Sequence, residues 1–263
     1  MKLSEEMKNK TLLSFELFPP KTEKGLQNLP GTIDHLMKYN PSYISCTYGA
    51  GGGNVGANRE VCQMIKNAGT TPVTHFTVIK NTKEGIKEQL DQYLADGVDH
   101  MLALRGDIPL GETTTCGDFD YATDLVKFVR DTYGDKFEIA VAGSPEGHIS
   151  CRSLESDIAV LKQKQDNGAD YIMTQLCWDM EQFKYWLDAI RKAGITMPVD
   201  VGVMPILDQA ATINMALSRN GCVMDSELCR LISRNWLFPN PFNAKDADGK
   251  PFDMFYELSL IHI

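Results

Sequence analysis

HMLALRGD, residues 100–107, decides how the chain folds. Met101 to Leu104 run without a polar residue and stop at Arg105-Gly106-Asp107. A strand that does not alternate is buried on both faces, as in a parallel sheet covered by helices. Gly106 permits close approach of a ligand to the backbone, and a cation and an anion beside it suit a charged ligand better than a core. Arg105 and Asp107 could equally pair with each other, so this stretch alone leaves function open.

The same pattern recurs on both sides. Strands are expected at Leu12–Phe18, Tyr43–Tyr48, Pro72–Val78, Phe137–Ala142, Tyr171–Leu176 and Val199–Met204. Apolar spacing near 3.6 predicts helices at Thr32–Tyr39, Asn58–Ala68, Ala122–Thr132, Ser153–Asp166, Met180–Ala193 and Gln209–Ser218. Another runs from a capping-box-like start at Asn81-Thr82-Lys83-Glu84, through Ile86, Leu90, Tyr93 and Leu94, to Gly97. Six helices end at a glycine, at 69, 97, 134, 168, 194 and 221, and five of those glycines lead directly into an apolar strand. A left-handed cap roughly every 30 residues is the punctuation of successive βα units, and right-handed crossovers make their sheet parallel.

Seven such units in 263 residues predict an α/β fold of the TIM-type (β/α)8 barrel class, in a single domain spanning 1–263. A doubly wound sheet is the alternative. It lacks the GxGxxG fingerprint, because the first strand ends in Pro19-Pro20. The end is atypical or truncated from about 237 to 263: Trp236–Asp253 is irregular, and Phe255–Ile263 leaves room for an eighth strand but no eighth helix.

Composition narrows the function. A formal net charge of -9 supplies no basic stripe for nucleic acid, so an anionic ligand must be held by individually placed cations. The opening MKLSEEMKNK is charged, and no apolar run reaches membrane-spanning length, which predicts a cytoplasmic protein with no membrane partner. Seven scattered cysteines without a CxxC pair fit reduced thiols, and no metal site is expected.

In a barrel of this class, functional groups gather at the C-terminal ends of strands. Those ends offer Glu16; Thr47 and Tyr48; His75; Arg105, Gly106 and Asp107; the loop Ser144 to His148; and Gln175. Each has a plainer explanation. Glu16 could pair with Lys21, His75 could be a satisfied core histidine, Thr47 and Tyr48 are good strand formers, and Gln175 could cap a helix. Their convergence, one polar group after each apolar run, is what favours a site.

Taken in order, SFELFPPK, SCTYGAGGG, THFTV, LALRGD, FDYATDLV, SPEGH, ADYIMTQ and GVMPI resemble the methylenetetrahydrofolate reductase family, from about Leu12 to Ile206. The resemblance implies an FAD-bearing barrel, a homo-oligomer, that takes reduced nicotinamide, NAD(P)H, and methylenetetrahydrofolate in ping-pong order. Glu16 would be the general acid that protonates the folate's bridge nitrogen and opens the ring to an iminium, the hydride arriving from reduced flavin. Its apolar neighbours Phe15, Leu17 and Phe18 are suited to raise its pKa. Asp107 would hydrogen-bond the pterin and tune the flavin, and Gln175 would contact folate and nicotinamide. FAD contacts carried over are Thr47, Tyr48, Ala50, His75, Arg105, Gly106, Asp107, Tyr121, Ala122, His148, Asp157 and Lys164, with Arg105 and Lys164 suited to a diphosphate. Two other readings stay open: a flavin-free pterin-binding methyltransferase barrel, and a non-catalytic subunit of a redox or methyl-transfer complex.

Overall fold

A computed structural model describes residues 2–20, 22–48, 55–108, 111–204, 206, 209–217 and 223–237. The chain runs α1 (Leu3–Met7), β1 (Ser14–Leu17), α2 (Glu23–Met37), β2 (Tyr43–Cys46), α3 (Val55–Asn67), β3 (Thr71–Thr77), α4 (Lys83–Ala95), β4 (His100–Leu104) and α5 (Ala122–Tyr133). It continues β5 (Glu138–Gly143), α6 (Leu154–Asp166), β6 (Tyr171–Thr174), α7 (Met180–Lys192), β7 (Val199–Asp200), α8 (Gln209–Leu217) and α9 (Ser226–Leu237). The seven strands form one sheet in sequential order, β1 to β7. The described registers are parallel: Glu16 lies beside Ser45, Ser45 beside Val73, His75 beside Leu102, and His100 beside Glu138. Sequential parallel strands joined by helices are the TIM-type succession, not the doubly wound one.

Two compact units partition the chain: Met1–Ala142 with Val160–Met173 and Ile195–Asp200, and Gly143–Ala159 with Thr174–Gly194 and the residues from Val201. In the first, period-two alternation splits each strand between two cores. On what we term the inner face, Tyr43, Val73, Leu102, Ala140 and Tyr171 pack with Leu3 of α1, flanked by Leu12, Leu104 and Met173. The alternate positions, among them Ile44, Cys46, Phe76, Met101, Ala103, Ile139 and Val141, are fully buried on the helix side. In the second unit, Trp178, Ile206, Leu228 and Ile232 form their own core with Leu176 and Met204.

Glycine caps end the helices as expected. Gly69, Gly97, Gly168 and Gly194 all have positive φ, where a side chain would be strained. Gly134 has φ 58 but ψ -126, and a single 3-10 turn, Gly134–Lys136, follows it. The predicted stop at Gly221 and the strand Phe255–Ile263 lie outside the described residues. Thr82 caps α4, its hydroxyl accepting from the Gly85 N–H at 3.1 Å.

Besides α1, which the sequence reading did not offer, and α9, which carries helix into Trp236 and Leu237, two expected elements differ from that reading. The helix expected at Thr32–Tyr39 begins nine residues earlier, at Glu23, because Thr22 caps it by accepting from Gly25 N–H, and it carries Pro30 within it. Leu29 and Ile33 are buried and hold both halves to the core, which outweighs the hydrogen bond that proline forfeits. The strand expected to reach Met204 ends at Asp200. Beyond it the Gly202 N–H donates to the Thr174 hydroxyl at 2.9 Å rather than to a strand carbonyl, which ends the ladder.

The N-terminal helix is tied down by a buried carboxylate. Lys2 gives α1 no side-chain cap. Glu138 supplies one from β5, accepting from Leu3 N–H at 2.7 Å and Ser4 N–H at 2.8 Å, with His100 Nε2 2.9 Å away. Desolvation alone would raise the Glu138 pKa; the bonds from His100, Ser4 and Leu3 outweigh it and hold it down at about 2. Desolvation would lower His100, but Asp99 and Glu138 outweigh that and raise it to about 9.

Candidate active site

β1, β2 and β3 bring the first candidates together on the inner face of the first unit. Glu16 Oε2 lies 3.9 Å from His75 Nε2. Burial lowers the His75 pKa to about 4, so the imidazole is neutral near pH 7 and the contact is not an ion pair there. Glu16 is itself raised by desolvation. Its side chain is 45% exposed, so water reaches one edge while the remaining surroundings, low in polarity, set the direction of the shift. With imidazolium disfavoured and the carboxylate disfavoured, a proton held by this pair rests on Glu16.

Three polar atoms on this face are buried without a hydrogen-bond partner: Ser45 Oγ, His75 Nε2 and Thr77 Oγ1, in residues 1%, 7% and 4% exposed. Buried polar groups are paired in all but a few cases, so such a group on one face calls for a polar ligand or water. Sequence reading had selected His75 and passed over Ser45 and Thr77. The signal was present, since both fall on the inner-face parity of Tyr43 and His75, but a small hydroxyl inside a strand reads as filler.

Thr47 follows β2 on the same parity. Its N–H donates to Leu17 O at 2.9 Å and its carbonyl accepts from Asn58 Nδ2 at 3.1 Å. Tyr48 turns the other way, its ring 5.5 Å from Phe76 and its hydroxyl on Gln89. Ala50 and Lys21 lie outside the described residues. Past β4, Arg105 Nε donates to the Gly106 carbonyl at 3.3 Å, and Asp107 is exposed.

Gly106 has φ +86, and a Cβ there would stand 2.5 Å from Ile79 Cγ1 and 3.1 Å from Thr77 Cβ. Gly106→Ala is therefore expected to cost about 1–3 kcal/mol and to displace Thr77. Thermal denaturation and ligand titration of the variant check this, and an unchanged Tm would refute it.

Tyr121 is exposed, its N–H donating to Asp124 Oδ2 at 2.9 Å as Ala122 begins α5. Lys164 Nζ, on α6, donates to Ala142 O at 2.9 Å. In the second unit, Asp157 Oδ2 accepts from His148 N–H at 3.2 Å, tying the loop before α6 to its first turn. Gln175 Oε1 accepts from Leu176 N–H at 2.8 Å, a local bond rather than a helix cap. Among the described residues, no group of three or more His, Cys, Asp or Glu could hold a metal ion, and no helix is long and apolar enough to cross a membrane.

The methylenetetrahydrofolate reductase family model matches residues 2–227 of this chain. The chain belongs to that family. Methylenetetrahydrofolate reductase (NADH) 1 of Arabidopsis thaliana is 38% identical over 219 residues, covering 78% of this chain and 37% of its own length. The 5,10-methylenetetrahydrofolate reductase of Escherichia coli is 34% identical over 202 residues, 76% of this chain and 67% of its own. The chain thus spans little more than a third of the plant relative and two thirds of the bacterial one. A Clostridium thermocellum protein whose structure binds two copies of 5-methyl-5,6,7,8-tetrahydrofolic acid superposes with a TM-score of 0.60 at 14% identity, over 98% of this chain and 83% of that one. Phosphoenolpyruvate phosphomutase of Streptomyces platensis does so at 0.55 and 11%, over 95% and 88%. At such identities the likeness is one of fold. Every predicted site residue, from Glu16 to Gln175, falls inside the stretch matched by the methylenetetrahydrofolate reductase family.

Proposed function

We propose that this chain carries the catalytic barrel of an FAD-dependent reductase that converts 5,10-methylenetetrahydrofolate to 5-methyltetrahydrofolate with reduced nicotinamide, in ping-pong order. The observation that carries the reading is Glu16: an inner-face carboxyl with a raised pKa, beside a neutral imidazole at 3.9 Å. A general acid for folate needs a carboxyl whose protonated form is favoured and an open edge toward its substrate, and the raised pKa and exposed edge of Glu16 support both.

Bound FAD would supply the hydride chemistry, taking hydride from the nicotinamide and giving it to the folate. Support for a fit comes from Ser45, His75 and Thr77, whose unpartnered buried atoms suit the polar edge of a fused heteroaromatic ring, with Gly106 packed against Thr77 so closely that a side chain there would displace it. Arg105 and Lys164 are the cations assigned to the diphosphate, which an acidic protein must place one by one. Thr47, Tyr121, Ala122, His148 and Asp157 would complete the cofactor's surroundings.

In the folate step, the Glu16 O–H bond breaks as an N–H bond forms at the bridge nitrogen, and the ring C–N bond opens to leave an iminium carbon. Hydride addition there completes the methyl group. Glu16, now a carboxylate, recovers its proton from water along its exposed edge. Asp107, exposed past β4, would accept from the pterin, and Gln175 would contact folate and nicotinamide in turn.

The test is anaerobic. Purified protein loaded with FAD should bleach on adding NADH or NADPH and regain its flavin absorbance on adding methylenetetrahydrofolate. Protein that takes up no flavin yet binds folate would favour the methyltransferase reading instead, and protein that binds neither would favour the non-catalytic one.

A further inference from the structure

Asn58 is fully buried on α3, and the flavin contacts carried over from the family do not include it. Its Nδ2 donates to Cys46 O at 3.0 Å and to Thr47 O at 3.1 Å. Its Oδ1 accepts from Thr74 Oγ1 at 2.8 Å and from Tyr93 OH at 2.6 Å, with Cys62 Sγ at 3.6 Å. Both donor hydrogens and both acceptor lone pairs of the amide are in use, and the orientation is fixed. A flipped amide would press its oxygen against two carbonyls. One side chain thus binds the exit of β2, the middle of β3, α4 and its own helix. It also ties together the residues on either side of the stretch 49–54.

The consequence falls on Thr47. Its N–H is held by Leu17 on β1 and its carbonyl by Asn58, so the peptides on both sides of its Cα are fixed and its side chain is directed to the face that carries Glu16 and His75. We propose that Asn58 is a positioning residue: through its two bonds to the β2 exit it sets Thr47 for contact with the cofactor. This rests on the flavin reading above.

Asn58→Asp keeps the size and the two hydroxyl donors but replaces the donating NH2 with an acceptor facing two carbonyls. A suitable control is Ile65→Ala, further along α3, which loses fully buried packing but no bond to β2. FAD affinity would be measured by fluorescence quenching, stability by thermal denaturation, and backbone exchange at Thr47 and Tyr48 by hydrogen-deuterium exchange. Asn58→Asp should raise the FAD dissociation constant by about tenfold, the equivalent of about 1.4 kcal/mol, and speed exchange at Thr47 and Tyr48. Ile65→Ala, at an equal or larger loss of Tm, should leave both within about twofold of wild type. If Asn58→Asp does not fold, Tyr93→Phe removes one of the two hydroxyl donors and should move the same two readouts in the same direction, by about two- to threefold. Equal effects of the Asn58 and Ile65 variants, or unchanged exchange at Thr47, would overturn the inference. A wild-type protein that takes up no FAD would sink the flavin reading itself, and the exchange measurement would still judge the clamp.

Discussion

Glu16→Gln is expected to slow reoxidation of the reduced flavin by methylenetetrahydrofolate by about a hundredfold to ten-thousandfold, the usual worth of a general acid, while reduction by nicotinamide stays within about threefold. The asymmetry follows from the chemistry. Nicotinamide gives up hydride without needing a proton at Glu16, whereas the folate ring opens only when its bridge nitrogen is protonated. Glutamine keeps the size and one carbonyl of the acid but has no proton to give. Stopped-flow absorbance of the two half-reactions separates them, and equal losses in both would make Glu16 a structural residue.

The largest effect on stability is expected at Glu138. Glu138→Ala leaves the first N–H groups of α1 without their acceptor and His100 with only the exposed Asp99 beside it. Removing one partner of a buried pair costs about 3–5 kcal/mol, or roughly 10 °C in Tm for a chain of this size. A Tm within about 2 °C of wild type would contradict this. The pH dependence has a sign as well. His100, raised to about 9 from 6.5, contributes stability that is complete below about 6.5 and lost as pH rises through about 9. Glu138, lowered to about 2 from 4.5, contributes stability present above about 4.5 and lost as pH falls through about 2. The pair's contribution is therefore greatest between about 4.5 and 6.5, and Glu138→Ala should flatten both flanks of the profile.

What the sequence disclosed and what it hid divide along a physical line. Features set by neighbours in the chain were legible. The glycines at 69, 97, 168 and 194 adopt the positive φ that a helix stop requires, and Met101–Ala103 of the unbroken apolar run are buried on both faces, with Leu104 partly so. Glu16 and His75 were legible as strand-end groups, and the register brings them within 3.9 Å. Where local signals conflict, the reading failed: Pro30 and Gly31 mark a break, yet burial of Leu29 and Ile33 carries α2 through them. Features set by distant partners were not legible at all. Asn58 looks like an ordinary first-turn residue until Thr74 and Tyr93 are in place, and Glu138 looks like a strand terminus until α1, more than 130 residues earlier, docks onto it. Ser45 and Thr77 were missed for a related reason, because only the packed sheet reveals that their hydroxyls find no partner.

General-acid catalysis by Glu16 requires a carboxyl that favours its protonated form more than an ordinary glutamate does, and that can be measured without any ligand. Carbon-13 NMR titration of the labelled glutamate carboxyls, with the Glu16 resonance assigned by its loss in Glu16→Gln, gives the midpoint directly. A midpoint above the 4.5 of an unperturbed glutamate is predicted, and one at or below it would contradict a general-acid role for Glu16.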